Sequence, residues 1–308
     1  MKIRWCAAPE DLARAYSGPV PTRLAFVGQR VFFELCSLEH TAGDLEPTFL
    51  DFRHDADPRP LRAALEALDP DVIWVWRPEI APPGLLTDLR ARRVGHLTEP
   101  LPRPGDAPHP DLTQRLDYLR ATDPANFDRF VAFDPLIVPT VERHLPVWRS
   151  LPIPVADRVY GPPAGDLTVF VGRSSTHRES FLGPVKHDFD VVHVAHGFAG
   201  ERLIALLRES AIVINLHNEP YPTFENRVPM ALAAGALVVS EPLSPTHGLK
   251  PAADYVEIRT PWDLWRIIAT ARRSPEAFAA TRAAGRREAE RFRASKVFPR
   301  VIADLLET

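Results

Sequence analysis

The sequence predicts an α/β protein of two Rossmann-like domains, each a parallel sheet wrapped by helices, with a cleft between them. Three observations carry that prediction. Short apolar, β-branched runs alternate along the chain with helical patterns of roughly 10 to 15 residues, the spacing of βαβ units and not of hairpins. The 308 residues are enough for two cores of ordinary size. Residues 158–166, RVYGPPAGD, interrupt any continuing element before a strongly apolar strand restarts the pattern. The boundary is therefore placed there, giving domains over residues 1–160 and 161–308.

In chain order, residues 23–27 read as the first strand, Gly28 as a turn, and residues 30–37 as a helix with Val31, Phe32 and Leu35 turned inward. Residues 48–52 form a second strand. Pro60 at a first helical position opens LRAALEAL, and residues 71–76, DVIWVW, are the most apolar strand of this half. A helix over 83–93 and a strand over 94–98 follow. Residues 99–110, EPLPRPGDAPHP, hold too many prolines for regular structure and read as a long functional or lid-like loop. A helix from Asp111, a strand over 129–133 and a short helix over 138–144 complete the half. His96 and Glu99 end the fourth strand and Asp134 ends the next. In a parallel sheet these three point towards the cleft, where any could orient or deprotonate a hydroxyl.

The second half opens with a strand over 167–171 and the turn GRSSTHRES. Gly172 straight after a buried strand lets backbone approach a ligand. Arg173 and Arg178, five residues apart around a Ser/Thr-rich turn, could neutralise a diphosphate or simply be solvated loop charges. Residues 190–195 are a strand, followed by HGFAG with His196 at the strand end facing the same cleft, and residues 200–210 a helix. Residues 211–241 then form a whole βαβ unit: a buried strand over 211–216, a polar proline-broken loop from His217 to Glu225, a helix over 226–235 and a strand over 236–240. Asn226 can cap that helix, Pro229 falls in its first turn and Gly235 closes it. Ligands of open α/β sheets sit at the carboxyl ends of strands, so this loop is the first place to look for a site. A strand over 255–258 and three closing helices follow, two of them announced by Thr260-Pro261-Trp262-Asp263 and Ser274-Pro275.

Composition narrows the function classes. With 45% hydrophobic and 25% charged residues the chain reads as soluble and globular. A net charge of −3 without a dense Lys/Arg block argues against nucleic acid or an anionic membrane as partner. Only Lys2, Lys186, Lys250 and Lys296 among 37 basic residues are lysines, a skew that with 33 prolines points to a GC-rich, bacterial-type genome. Cys6 and Cys36 form neither a disulfide framework nor a metal-ligand spacing, so a reducing cytoplasm is expected. Residues 1–16 lack the apolar core of a signal peptide, and the longest uncharged apolar run, over 230–239, is far short of the ~20 residues of a transmembrane helix.

The 211–241 unit also carries a resemblance. Asn215, His217, Arg227, Ala231, Ala233, Gly235 and Ala236 are similar to the donor-binding half of group 1 GT-B glycosyltransferases, above all the spore-maturation-protein-like branch. Gly172, Arg173 and Arg178 fill the places where many of these enzymes have Val-Gly-Arg and a later basic residue, with arginine for the usual lysine. The resemblance covers most of the second half and the first only by pattern. It implies GT-B architecture, with an acceptor-binding first domain and a nucleotide-sugar-binding second domain. The last helix commonly packs back on the first domain in this architecture. It further implies sugar transfer from a nucleoside-diphosphate sugar to the hydroxyl of an unspecified acceptor (glycan, lipid, protein or small molecule), with no cofactor and no metal. Arg173, Arg178 and Arg227 would stabilise the leaving diphosphate, and Glu99 or His96 would serve the acceptor. Gly172, His196, His217, Glu219, Thr223, Phe224, Glu225, Asn226 and Met230 would contact the donor. Met230 stands where the family has the glutamate that contacts the ribose hydroxyls, and a thioether cannot make a carboxylate's hydrogen bonds. Asp188-Phe189-Asp190 and Asp69–Asp71 imitate a metal-binding Asp-x-Asp but precede strands instead of ending them, and read as polar turns.

Other classes fit less well. A nicotinamide or flavin oxidoreductase would need G-x-G-x-x-G after a strand, and none follows any strand here. A GT-B epimerase would need an acid/base pair in the cleft, and a phosphorylase a lysine for its cofactor. A degenerate glycosyltransferase that binds sugar nucleotide or glycan without turnover is the non-enzyme alternative, and Met230 favours it.

Overall fold

The computed structural model describes residues 21–107, 109–218 and 221–307; the readings made on residues 1–16, Cys6 and Glu219 lie outside them. Two sheets, every strand pair parallel, make up the fold. The first contains β1 (Thr22–Gly28), β2 (Leu45–Asp51), β3 (Val72–Trp76), β4 (Arg92–Leu97), β5 (Arg129–Ala132) and β6 (Val147–Ser150), in the order β2-β1-β3-β4-β5-β6. The second contains β7 (Leu167–Val171), β8 (Val191–Val194), β9 (Ser210–Asn215), β10 (Leu237–Ser240) and β11 (Val256–Glu257), in the order β11-β10-β9-β7-β8. In both sheets the order reverses beside the first strand, between β1 and β3 and between β7 and β9. Those are the topological switch points at which doubly wound sheets open a crevice.

The helices, in chain order, are α1 (Arg30–Phe33), α2 (Pro58–Leu68), α3 (Pro110–Ala121), α4 (Val138–Val141), α5 (Thr176–Asp188), α6 (Gly200–Arg208), α7 (Arg227–Ala233), α8 (Pro261–Arg273), α9 (Ala279–Glu288) and α10 (Ala294–Leu306). Central strands are covered on both faces, so all five residues of β3 are buried and read as one continuous apolar run. Start signals act as local chemistry requires. Asp57 accepts from Arg59 N at 3.0 Å ahead of Pro58, and Thr260 and Asp263 close a capping box around Pro261. Late in the chain, Phe298 of α10 meets Phe26 and Trp74 of the first sheet edge-on, with ring centroids 4.8 and 5.5 Å apart. Arg293 pairs with Asp157 at 2.9 Å beside it. Among the described residues no helix is long and apolar enough to cross a membrane.

Several local expectations need correction. Residues 83–91 are turns and bends, not a helix, and Arg92 and Arg93 already belong to β4: Pro82, Pro83 and a left-handed Gly84 (φ 73°) bend the chain into that strand. The expected turn after Gly172 runs straight into α5, whose N-cap Ser175 accepts from Arg178 N at 3.3 Å. Val31 and Phe32 are 61% and 56% exposed, and Phe33 takes the inward place beside Leu35. That first helix shortens to one turn followed by a 3₁₀ turn, which rotates the two side chains towards the cleft.

Candidate functional site

Residues just past the carboxyl ends of β1, β3 and β4 and of β7, β8 and β9 line two adjoining cavities between the sheets. One, about 550 Å³, lies over the second sheet's switch point; Val171, Gly172, His196, Arg227 and Met230 form its floor, and Val31 and Phe32 face them from the first sheet. The other, about 300 Å³, reaches across to Arg77, Glu99 and Arg115, with Tyr221, Thr223 and Phe224 on the opposite side. Arg173, Glu225 and Asn226 border both.

The basic cluster is built from three elements. Arg178, in the first turn of α5, is buried. Its Nε donates to Leu216 O and His217 O at 3.1 and 3.2 Å, and its Nη1 to Arg173 O and Asn218 Oδ1 at 3.0 and 3.2 Å. Arg227, at the start of α7, donates from Nε to Asn215 Oδ1 at 2.7 Å, from Nη2 to Leu216 O at 3.3 Å, and from Nη1 to Val171 O. Both guanidiniums lie 5.3 Å from the Phe170 ring, and both bond Glu225. Burial, reinforced by Arg227 alongside, pulls the Arg178 pKa down to about 10, so it stays a cation at neutral pH. Arg173 is exposed to the cleft and makes no ion pair among the described residues. Two guanidiniums therefore converge on one carboxylate, with Arg173 bordering the same cavities, and the local field favours an added anion.

Gly172 makes this convergence possible. A Cβ there would lie 2.8 Å from Arg227 Nη1, 3.2 Å from Phe170 Cζ and 3.3 Å from Arg178 Nη1. The loop is braced from behind. His193 Nε2 lies 2.8 Å from Gly172 O and its Nδ1 2.9 Å from Lys186 Nζ, which makes Nε2 the protonated nitrogen. His217 is buried: its N–H donates to Glu241 Oε2 at 2.8 Å, and its ring nitrogens lie 2.9 Å from Pro242 O and 3.3 Å from Thr223 Oγ1. Burial holds its pKa below the usual histidine value. His217 and its partner Thr223 thus shape the loop from inside. Asn226 has helical backbone angles and makes no side-chain cap, so the expected N-cap is not formed; its side chain lines the cleft.

On the opposite side, Glu99 sits between Arg77 Nη1 at 3.5 Å and Arg115 Nε at 3.3 Å. Arg77, at the tip of β3, has φ 62°, a left-handed conformation rare for a residue with a Cβ and most often retained where a site needs it. Arg115 reaches across the cleft to Tyr221 Oη at 2.7 Å. His96 does not serve the cleft. It is wholly buried, stacked on Trp76 at 4.9 Å, with Nε2 3.1 Å from Leu151 O, and burial drives its pKa down to about 3. Asp134 is likewise buried; it caps the next turn through Leu136 N at 2.7 Å and pairs with Arg103 at 2.9 Å. Asp188 accepts from Trp265 Nε1 at 2.7 Å on the outer surface. Sequence reasoning missed Arg77, Arg115, Tyr221 and Phe32. A charged residue directly after the most apolar strand was the available signal for Arg77; the others come from long-range packing.

Comparison with protein-family models and with curated proteins gives no match. Solved structures do match. HepE of Anabaena in complex with UDP and glucose superposes with a TM-score of 0.58 at 12% identity, over 93% of this chain and 100% of that one. The sucrose-phosphate synthase of Thermosynechococcus elongatus gives 0.59 at 11%, over 93% and 99%. AviGT4, a glycosyltransferase involved in avilamycin A biosynthesis, gives 0.51 at 14%, over 92% and 97%. The likeness is one of fold, and the fold is the GT-B architecture of two parallel-sheet α/β units facing across a cleft.

Proposed function

We propose that the chain is a glycosyltransferase that moves a sugar from a nucleoside-diphosphate sugar to an acceptor hydroxyl without a metal ion. The observation that carries this is the convergence of Arg173, Arg178 and Arg227 on the glycine-floored switch point of the second sheet, beside a cavity of about 550 Å³. Guanidiniums are suited to a diphosphate, and charge grows on that group as the anomeric bond breaks. In this reading residues 161–308 bind the donor and residues 1–160 the acceptor. Glu99, held by Arg77 and Arg115, is the carboxylate on the acceptor side that could take the hydroxyl proton. The finer resemblance to the spore-maturation-protein-like branch, and a cytoplasmic setting, belong to the same proposal. Solved neighbours that bind UDP and UDP-glucose support the choice of donor class.

Met230 in the cavity floor favours a second reading, binding of a sugar nucleotide without turnover. Incubation with a panel of uridine, guanosine and thymidine diphosphate sugars separates the two. Slow release of free nucleotide supports a transferase, binding by titration calorimetry without release supports the module, and no binding of any nucleotide refutes both. Transfer activity, once found, should survive a chelator; its loss would show that a metal, not the arginines, offsets the diphosphate charge.

A further inference from the structure

Glu225 is the only anionic partner of the Arg178 and Arg227 guanidiniums among the described residues. Its Oε1 accepts from Arg178 Nη2 at 3.4 Å and its Oε2 from Arg227 Nη2. Among the described residues every other hydrogen-bond partner of these side chains is a neutral oxygen: the carbonyls of Val171, Arg173, Leu216 and His217 and the amides of Asn215 and Asn218. Those oxygens belong to strand ends and to the loop behind them, and with Phe170 beneath and Gly172 alongside the guanidiniums have no room to retreat. The Glu225 side chain, in contrast, is 27% exposed and borders both cavities. The arginines are fixed, and the carboxylate is the partner free to turn away.

We propose that Glu225 is an internal counter-ion held where a donor phosphate belongs, and that a diphosphate binds by displacing it from Arg178 and Arg227. The inference rests on reading the cleft as a nucleoside-diphosphate site. A carboxylate and a phosphate oxygen seek the same N–H groups, so the exchange conserves the salt links of the arginines while Glu225 moves to water or to the donor. The cost of turning Glu225 out is subtracted from the affinity of every diphosphate, whatever nucleoside or sugar it carries. Glu225 thereby sets donor affinity without being a donor ligand in the bound state.

Calorimetric titration of inorganic pyrophosphate and of UDP into the wild-type chain, Glu225→Gln and Glu225→Asp tests this, with a melting curve for each protein. Removing the charge should tighten both ligands about tenfold or more, as expected when a close competing charge is deleted. Aspartate, which keeps the charge on a shorter arm, should tighten both by a smaller factor. It decides the matter if the glutamine variant fails to fold with its arginines uncompensated. Equal or weaker binding by a folded variant, against measurable wild-type binding, overturns the inference alone and makes Glu225 a donor contact or a structural tie. Failure of pyrophosphate and UDP to bind any of the three proteins overturns the diphosphate reading itself, and the inference with it.

Discussion

Gly172→Ala adds one methyl group at the point where the site is most crowded. Its Cβ would stand 2.8 Å from Arg227 Nη1 and 3.3 Å from Arg178 Nη1, closer than real Cβ contacts allow in the first case. A guanidinium at the end of a free side chain would swing aside at little cost. Arg227 is not free, because Asn215, Val171 O, Leu216 O and Glu225 all hold it. Relief of the clash therefore breaks at least one hydrogen bond from a charged donor, worth roughly 1.5–3 kcal/mol. The same displacement removes Arg227 from the position it offers an anion, so affinity for a nucleoside diphosphate should fall by about 10- to 100-fold, at roughly 1.4 kcal/mol per decade. Titration of UDP, or of whichever diphosphate the wild type prefers, measures that loss, and a melting curve measures the stability term alongside. A variant that is destabilised yet binds with wild-type affinity would show that the arginines crowd Gly172 for structural reasons only. The assignment of the diphosphate to this corner would then be withdrawn.

Met230 is 4% exposed but lines the larger cavity. Met230→Glu buries an unpaired carboxylate and should lower stability by about 2–3 kcal/mol without ligand, while UDP should raise its melting temperature more than it raises that of the wild type. Equal shifts would place the nucleoside outside the cavity. Acid stability should report the desolvated histidines His96 and His247. His96 has a folded pKa of about 3 against about 6.5 unfolded, and burial takes His247 down to about 4. The unfolded chain therefore binds more protons between those values, so the contribution is complete above pH 6.5 and is lost as the pH falls towards 3, with a slope of up to about 1.4 kcal/mol per unit for each group. His96→Phe, which keeps the stack on Trp76, should flatten the melting-temperature profile between pH 6.5 and 4.5. An unchanged slope would mean that His96 does not titrate in this window.

Much of the fold was legible because its signals are local. DVIWVW reads as a central strand because a strand covered on both faces must be apolar throughout. Thr260-Pro261-Trp262-Asp263 reads as a helix start because the orphan N–H groups of a first turn need those side chains. Alternation of such units over 308 residues dictates parallel sheets, and RVYGPPAGD lies between the last strand of one sheet and the first of the other. Gly172, Arg173 and Arg178 could be singled out from their places in the turn after a strand, and Arg227 from the resemblance of the 211–241 unit. The meeting of Arg178 and Arg227 around Phe170 and Glu225 could not, because it depends on β7 and β9 being neighbours in the sheet although Ser210 comes 38 positions after Gly172, a matter of strand order. The same holds for what sequence placed wrongly. His96 follows the parallel-strand rule for a cleft residue, yet its side chain falls on the face that Trp76 covers, and only packing decides which face is which. Val31 and Phe32 were assigned to the core by periodicity; a helix one turn long has no periodicity to obey, and the structure spends them on the cleft. The sequence by itself determined most of the elements and their parallel arrangement, and pointed to the strand ends where a site was expected. Tertiary structure alone decided which charges share a carboxylate, which histidines are sealed from solvent, and which residues of the first half face the second. Those outcomes depend on long-range distances and on desolvation, which no local pattern of residues encodes.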